Sequence, residues 1–233
     1  MAIESWKRLT AEERRTQLLE LGLQLFNSRD YSEISVDDIA REAGISKGLL
    51  YHYFPSKEEF FRAGVEHGAR QLLAACEPDP ELPELERTVR ALRGYLDYVE
   101  DNSFGYRNIF RGETAMLPGI QRVCDATRAA IARRFMDALG VDAAAMPATR
   151  AAFRAFQGHV EALVIHWLEH DDLDRKQVEL LSLVAMMASV VTGLQMDLGP
   201  GAPELADLGA RAGELAAFLR SEYGFNPVPP APS

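Results

Sequence analysis

Between Ser35 and Pro55 the chain has room only for very short helices, and this stretch constrains the fold more than any other. Ser35-Val36-Asp37-Asp38 is a capping box with Asp in the Glu position: the serine oxygen and the carboxylate three residues on satisfy each other's orphan amides and start a helix. Gly44 can take the left-handed conformation that closes it, so this helix runs only to Ala43. Ser46 caps the next helix, and Pro55 stops it just past Tyr53. Two short helices joined by a tight glycine-containing turn form a helix-turn-helix.

The rest of the chain is helical as well. Apolar residues recur at intervals of three and four, and no run of alternating β-branched residues bounded by hairpin turns is present. Thr10-Ala11-Glu12-Glu13 opens a first helix whose buried stripe is Leu18, Leu21 and Leu25 and which ends near Ser28. Ser56, followed by Glu59, caps a fourth helix through about Ala75, and prolines at 78, 80 and 83 mark a connection. Beyond it the pattern predicts helices over 84–101, 117–139, 149–170, 174–198 and 203–222, separated by Gly112, Pro118, Pro147 and Pro200-Gly201. The expected fold is all-α in two domains: residues 1–75 carry the helix-turn-helix and its linking fourth helix, and residues 84–222 form a second helical bundle. The proline-rich tail, 223–233, is expected to be disordered.

Composition narrows the function. Of 233 residues 47% are hydrophobic and 26% charged, an ordinary soluble globular balance. The formal charge is −10, but residues 1–62 hold nine of the 25 Lys/Arg and eleven of the 35 Asp/Glu, so the acidic excess lies mostly downstream. Such a balance argues against a protein that coats nucleic acid electrostatically and leaves room for a specific reader. Two cysteines, Cys76 and Cys124, are too few for a disulfide framework, and the N-terminus has no apolar run before a small-residue cleavage site; both point to a reducing cytoplasm. No GxSxG elbow, Walker loop, GxGxxG or HExxH is present, so the motifs of an enzyme are lacking and no cofactor is expected.

Taken in order, Phe26, Tyr31, Ser35-Val36-Asp37-Asp38-Ile39-Ala40, Ala43-Gly44-Ile45-Ser46, Leu50-Tyr51-His52-Tyr53-Phe54 and Lys57-Glu58-Glu59 resemble the N-terminal DNA-binding domain of the TetR family of bacterial transcriptional regulators. The resemblance covers about residues 10–60; downstream only the helical pattern corresponds. It implies a homodimer, usually a repressor of a palindromic operator on double-stranded DNA. It also implies a C-terminal domain that binds a small hydrophobic or amphipathic inducer and so changes the spacing of the two heads. Half-sites about 34–36 Å apart make that spacing decisive for affinity.

On this reading Lys47 leads the reading helix and reaches guanine O6/N7 or a phosphate, while Gly48 lets the backbone come close. Leu49 can contact only a thymine methyl, a departure from the polar or small residue frequent there in the family. Tyr51 and Tyr53 match family positions that touch phosphate or base edges, with His52 between them; packing of the small domain is the other role open to these rings. Leu50 and Phe54 face inward on spacing. Lys57 and Ser35 are expected to hold phosphates, Ser35 and Ser46 also acting as caps, and Lys7, Arg8, Arg14 and Arg15 form a basic arm or a solvated face.

The segment Leu180–Met196 carries no charge, yet with Ser182, Ser189, Thr192, Gly193 and Gln195 it is short and polar for a membrane span. Burial against its own core and a second subunit is the expectation, with Ala155, Ala162, Val184, Met187, Val191 and Leu194 at the dimer interface. Candidates for the ligand pocket are Tyr95, Tyr98, Phe104, Phe110 and Met116, together with Phe153, Phe156 and Gln157; Arg107 and Arg111 could receive an anionic head. His159, His166 and His170 share a helix face, which keeps open a metal-sensing or protein-interaction module on the same fold.

Overall fold

The computed structural model describes residues 10–138, 145–199, 202 and 204–225, and all its longer elements are α-helices. They are α1 (Ala11–Phe26), α2 (Val36–Glu42), α3 (Lys47–Tyr53), α4 (Lys57–Ala75), α5 (Glu84–Asp101), α6 (Ser103–Arg111), α7 (Pro118–Ala138), α8 (Pro147–Glu169), α9 (Arg175–Leu198) and α10 (Glu204–Tyr223). Short 3-10 turns occupy Tyr31–Glu33 and Glu113–Met116. The chain folds as two compact units. One holds the described residues up to Leu72 with Asp101–Thr127; the other holds Leu73–Glu100 with the described residues from Arg128 onward. Residues 101–127, expected downstream of the proline-rich connection, therefore belong to the first unit.

In the first unit the helix ends follow local chemistry. The Glu13 amide donates to Thr10 Oγ1 at 3.2 Å and the Thr10 amide to Glu13 Oε2 at 2.8 Å, a closed capping box. Ser35 and Asp38 close the second box, amide to side chain at 3.0 and 3.1 Å. Gly44 has φ 63°, and behind it the Ile45 amide donates to Ala40 O and the Gly44 amide to Arg41 O at 3.0 and 3.1 Å. That pair of bonds is a Schellman stop, which needs the positive φ that only glycine adopts freely. The core behind these helices is aromatic: Phe60 is fully buried, edge-on to Phe54 at 5.0 Å, and Phe61 meets Phe26 edge-on at 4.5 Å. Ile34, Ile39, Leu50 and, from α7, Ile120 complete it.

Helix α6 and the turn after it stand where the sequence pattern predicted a break. Asn102, its N-cap, makes no capping bond. The segment is held instead by contacts distant in sequence: Asn27 Nδ2 donates to Asn102 Oδ1 at 2.6 Å and Asn108 Nδ2 to Asp30 Oδ1 at 2.9 Å.

In the second unit α8 and α9 form an antiparallel hairpin. The carboxylate of Asp197, at the end of α9, accepts from the Ala148 and Thr149 amides at 2.9 and 2.7 Å and so caps the start of α8. Asp174 and Gln177 close a capping box on α9. Val89, Leu183, Leu215 and Leu219 form the core between α5, α9 and α10, with Phe225 packed on it. Tyr223 closes α10 rather than opening a tail, and its hydroxyl donates to the buried Glu179 at 2.5 Å, where Arg93 also binds at 2.7 Å. Residues 226–233 of the expected tail lie outside the described residues. Among the described residues α9 is the helix long and apolar enough to cross a membrane; here it packs Val178, Ser182, Leu183, Val190 and Gly193 inward.

Candidate functional site

The seven-residue helix α3 divides its side chains sharply. Leu50, within it, and Phe54, its C-cap, are buried in the aromatic core. Lys47, Gly48, Leu49, Tyr51 and His52 are all exposed, Leu49 by 40% and Tyr51 by 42%, which is unusual for a large apolar and an aromatic residue on so small a helix. Tyr53 is half-buried, its ring edge-on to His52 with centroids 5.5 Å apart. The result is one exposed tip carrying a cation, an apolar side chain, a phenol and an imidazole, anchored from behind by two core residues.

The supporting polar residues are partly engaged. Lys47 Nζ lies 3.0 Å from Asp37 Oδ2, and that bond holds the ammonium pKa above its ordinary value. Both side chains are well exposed, so the pair is weak. Ser35 acts as a cap: its hydroxyl donates to Asp38 Oδ2 at 2.5 Å, and this bond, with Arg41 beside it, holds the Asp38 carboxyl well below the usual carboxylate range. Ser46 Oγ accepts from the Leu49 amide at 3.2 Å. Lys57, expected to reach outward to phosphate, is half-buried, donates to Tyr31 O and sits 3.9 Å over the Tyr31 ring. Arg15 lies over Phe54 at 5.2 Å, tying α1 to the end of α3. Lys7 and Arg8 fall outside the described residues.

The second unit contains a cavity of about 180 Å³. Leu92 and Tyr95 line it from α5, Ile131 from α7, Phe153 and Phe156 from α8 and Met186 from α9. Of the sequence candidates, Tyr95, Phe153, Phe156 and Gln157 are brought together here. Tyr98 is not on this wall; burial pushes its hydroxyl up to about 12. Phe104, Arg107, Phe110 and Arg111 lie on α6, in the first unit, and the side chain of Met116 is outside the described residues. Sequence reasoning missed Arg87, Thr88 and Ala91, although they stand eight, seven and four residues before Tyr95 on the same helix face.

Most polar groups of the wall are satisfied internally. Gln157, nearly fully buried, donates through Nε2 to Arg128 O at 2.9 Å, and the Arg128 guanidinium grips Glu161 with two bonds of 2.5 and 2.9 Å. Arg134 donates to Leu73 O at 2.6 Å and pairs with Glu77 at 2.7 Å. Arg87 differs: its Nε is buried without a hydrogen-bond partner. Desolvation pushes the thiol of Cys76, which lines the cavity directly after α4, up to about 12, so it remains a neutral, unreactive group.

The exposed residues of the α8–α9 hairpin mix the small Gly158 and Ala188 with the polar Arg154, His159 and Thr192. Ala155 and Ala162 are exposed, as is Leu181 by 43%. Val184 and Met187 are half-buried against the core and Val191 is half-buried, but Leu194 is buried within its own unit and is no part of a free face. The three histidines do not converge. His166 Nε2 lies 3.0 Å from the Asp172 carboxylate, its ring stacks on His170, and His159 is simply exposed. Among the described residues no group of three His, Cys, Asp or Glu is placed to hold a metal ion.

An all-helical chain whose first unit carries a helix-turn-helix defines a class of DNA-binding protein. Residues 18–63 match the sequence pattern described as "Bacterial regulatory proteins, tetR family", and residues 85–189 match "Tetracyclin repressor-like, C-terminal domain". The chain belongs to the TetR family, whose members are DNA-binding regulators and not enzymes. It is 33% identical over 120 residues to the HTH-type transcriptional activator FasR of Mycolicibacterium smegmatis, covering 48% of this chain and 52% of that one. It is 30% identical over 118 residues to the nucleoid occlusion factor SlmA of Haemophilus influenzae, covering 49% and 54%. The chain thus spans about half the length of these curated relatives. The crystal structure of a TetR-family regulator from Streptomyces coelicolor superposes with a TM-score of 0.66 at 27% identity, over 90% of this chain and 100% of that one.

Proposed function

We propose that this chain is a cytoplasmic, dimeric repressor that binds a palindromic operator and is released by a small amphipathic inducer held in the cavity of its second unit. The observation that carries the reading is the reading tip: Lys47, Leu49, Tyr51 and His52 exposed together above buried Leu50 and Phe54. Rigid anchoring with exposed readers is what a major-groove helix needs, because the contacts must arrive in fixed register. Lys47 and the Tyr51 hydroxyl supply polar contacts and Leu49 an apolar one to a thymine methyl. Ser35 and Ser46 order the backbone around the tip, and Lys57 fixes the start of α4 through Tyr31.

Dimerisation through α8 and α9 gives one molecule two reading tips, and a bound dimer then blocks a promoter. Helix α7 supports regulation by ligand: it gives Ile120 to the core of the first unit and Arg128, Ile131 and Arg134 to the cavity of the second. The test is selection of bound duplexes from a genomic or random pool at near-physiological salt, followed by sequencing. An enriched palindrome with two half-sites is the expected result. Enrichment of no sequence by a folded, dimeric, ligand-free protein refutes the reading.

A further inference from the structure

Arg87 is the arginine of the cavity wall with a buried nitrogen that has no acceptor among the described residues. Its Nε is buried without a partner, and among the described residues its guanidinium makes no ion pair. Its fellow arginines on the wall are engaged, Arg128 with Glu161 and Arg134 with Glu77 and a backbone carbonyl. A guanidinium N–H taken out of water with no acceptor is unfavourable, and an alkyl side chain at this position would line the cavity without that penalty. Arg87 also lines the cavity, so although its Nε is covered by protein, an acceptor entering the cavity comes up against this arginine.

The charge around it selects the acceptor. Glu161 is neutralised by the two-bonded Arg128, so the wall already meets the needs of its own carboxylate at that point. With Glu84 the wall sets two carboxylates against three arginines, a surplus of one cation that a cationic ligand head would raise and a neutral one would leave in place. A carboxylate satisfies both the hydrogen bond and the charge. Away from Arg87 the wall is Leu92, Ile131, Phe153, Phe156 and Met186, which suits an alkyl or aryl body. The volume of about 180 Å³ admits on the order of a dozen water-sized bodies at ~10–15 Å³ each. We infer that the inducer is a medium-sized carboxylate amphiphile whose head accepts from Arg87 while its body lies along α5, α7 and α8. This rests on the reading of the cavity as the inducer site.

The probes are decanoate and decan-1-ol, alike in body and different in head, each titrated against full-length protein loaded with the neutral dye Nile red. Decanoate is expected to displace the dye at lower concentration than decan-1-ol. Arg87→Met is expected to weaken decanoate by roughly ten- to a hundredfold, the loss of a charged hydrogen bond, and to leave decan-1-ol and the dye unchanged. Arg87→Gln serves the same comparison should the methionine variant fail to fold, and Arg87→Lys, which keeps the charge, is expected to retain most of the decanoate affinity. Equal binding of decanoate to wild type and Arg87→Met overturns the carboxylate anchor while leaving the inducer site standing. Failure of wild type to bind the dye or either probe overturns the site itself, and the anchor with it.

Discussion

The crossing of α8 and α9 rests on one residue without a side chain. A Cβ on Gly193 would stand 2.6 Å from Thr149 Cα, 3.1 Å from its nitrogen and 3.2 Å from Ala152 Cβ. Two of the three are backbone atoms and cannot swing aside. For Gly193→Ala the helices must part by about 0.8 Å, the shortfall from the 3.4 Å at which ordinary contact begins. Overpacking of this kind costs about 1–3 kcal/mol, while alanine's better helix propensity returns ~1 kcal/mol, for a net loss of about 0–2 kcal/mol. In a chain of this size that lowers Tm by up to roughly 8 °C. Gly213→Ala on exposed α10, where the new Cβ meets nothing within 4 Å, is the matched control and should raise Tm by roughly 2–4 °C. Melting followed by circular dichroism at one fixed protein concentration reads both. Because Thr149 lies one turn before Phe153, the same displacement should also weaken dye binding in the cavity. A Gly193→Ala protein as stabilised as Gly213→Ala would refute the close-approach argument.

Lys47→Ala should weaken operator binding; if Lys47 reads a base, discrimination at one position falls by roughly five- to a hundredfold, whereas an equal loss on all sequences makes it a phosphate contact, both readable by competition with single-substitution operators. Tyr223→Phe removes the hydroxyl that donates to buried Glu179 and should cost about 1–3 kcal/mol in urea unfolding, an undiminished midpoint counting against that bond. Burial, and for Tyr223 also Glu179, pushes Tyr98 and Tyr223 from 10.0 up to about 12. Their folded neutral forms thus add stability that is complete below pH 10 and lost as pH rises toward 12, so urea midpoints should fall across that interval and not across pH 7–9. Ala162→Glu adds a charge to an exposed face and should yield folded monomers in analytical ultracentrifugation, with weaker binding to a palindrome; a dimer that persists refutes the proposed interface.

Helix boundaries were legible where the signal is local. The boxes at Thr10 and Ser35, the glycine at 44 and the proline at 55 act through neighbours within five residues, so α1 to α4 lie where those residues put them. Helix α6 was not legible, because Asn102 offers no cap and the segment depends on Asn27 and Asp30, more than seventy residues earlier. The same dependence moves residues 101–127 into the unit of the reading tip. A proline-rich connection marks where a chain is locally irregular, which is not the same as where contacts change partners.

The site divides along a similar line. The exposed tip follows in part from a seven-residue helix that buries Leu50, since that turns 49 and 52 away from the core; Lys47 shares the i, i+3 face with Leu50 and is exposed as the first residue of the helix. For the cavity, aromatic residues announced themselves and Tyr95, Phe153 and Phe156 are on its wall, but an arginine reads as solvated by default. Arg107 and Arg111 were conspicuous beside Phe110, while Arg87 sits among Glu84, Glu86 and Arg90 and looks like one more surface charge. Only packing distinguishes them: it withholds a partner from the buried Nε of Arg87 and grants acceptors to Arg128 and Arg134. That Leu194 is buried within its own unit was not legible for the corresponding reason: a helix apolar on most sides does not say which side its own subunit has already covered. Chemistry that depends on what a group lacks is invisible to spacing and becomes visible only when every neighbour is in place.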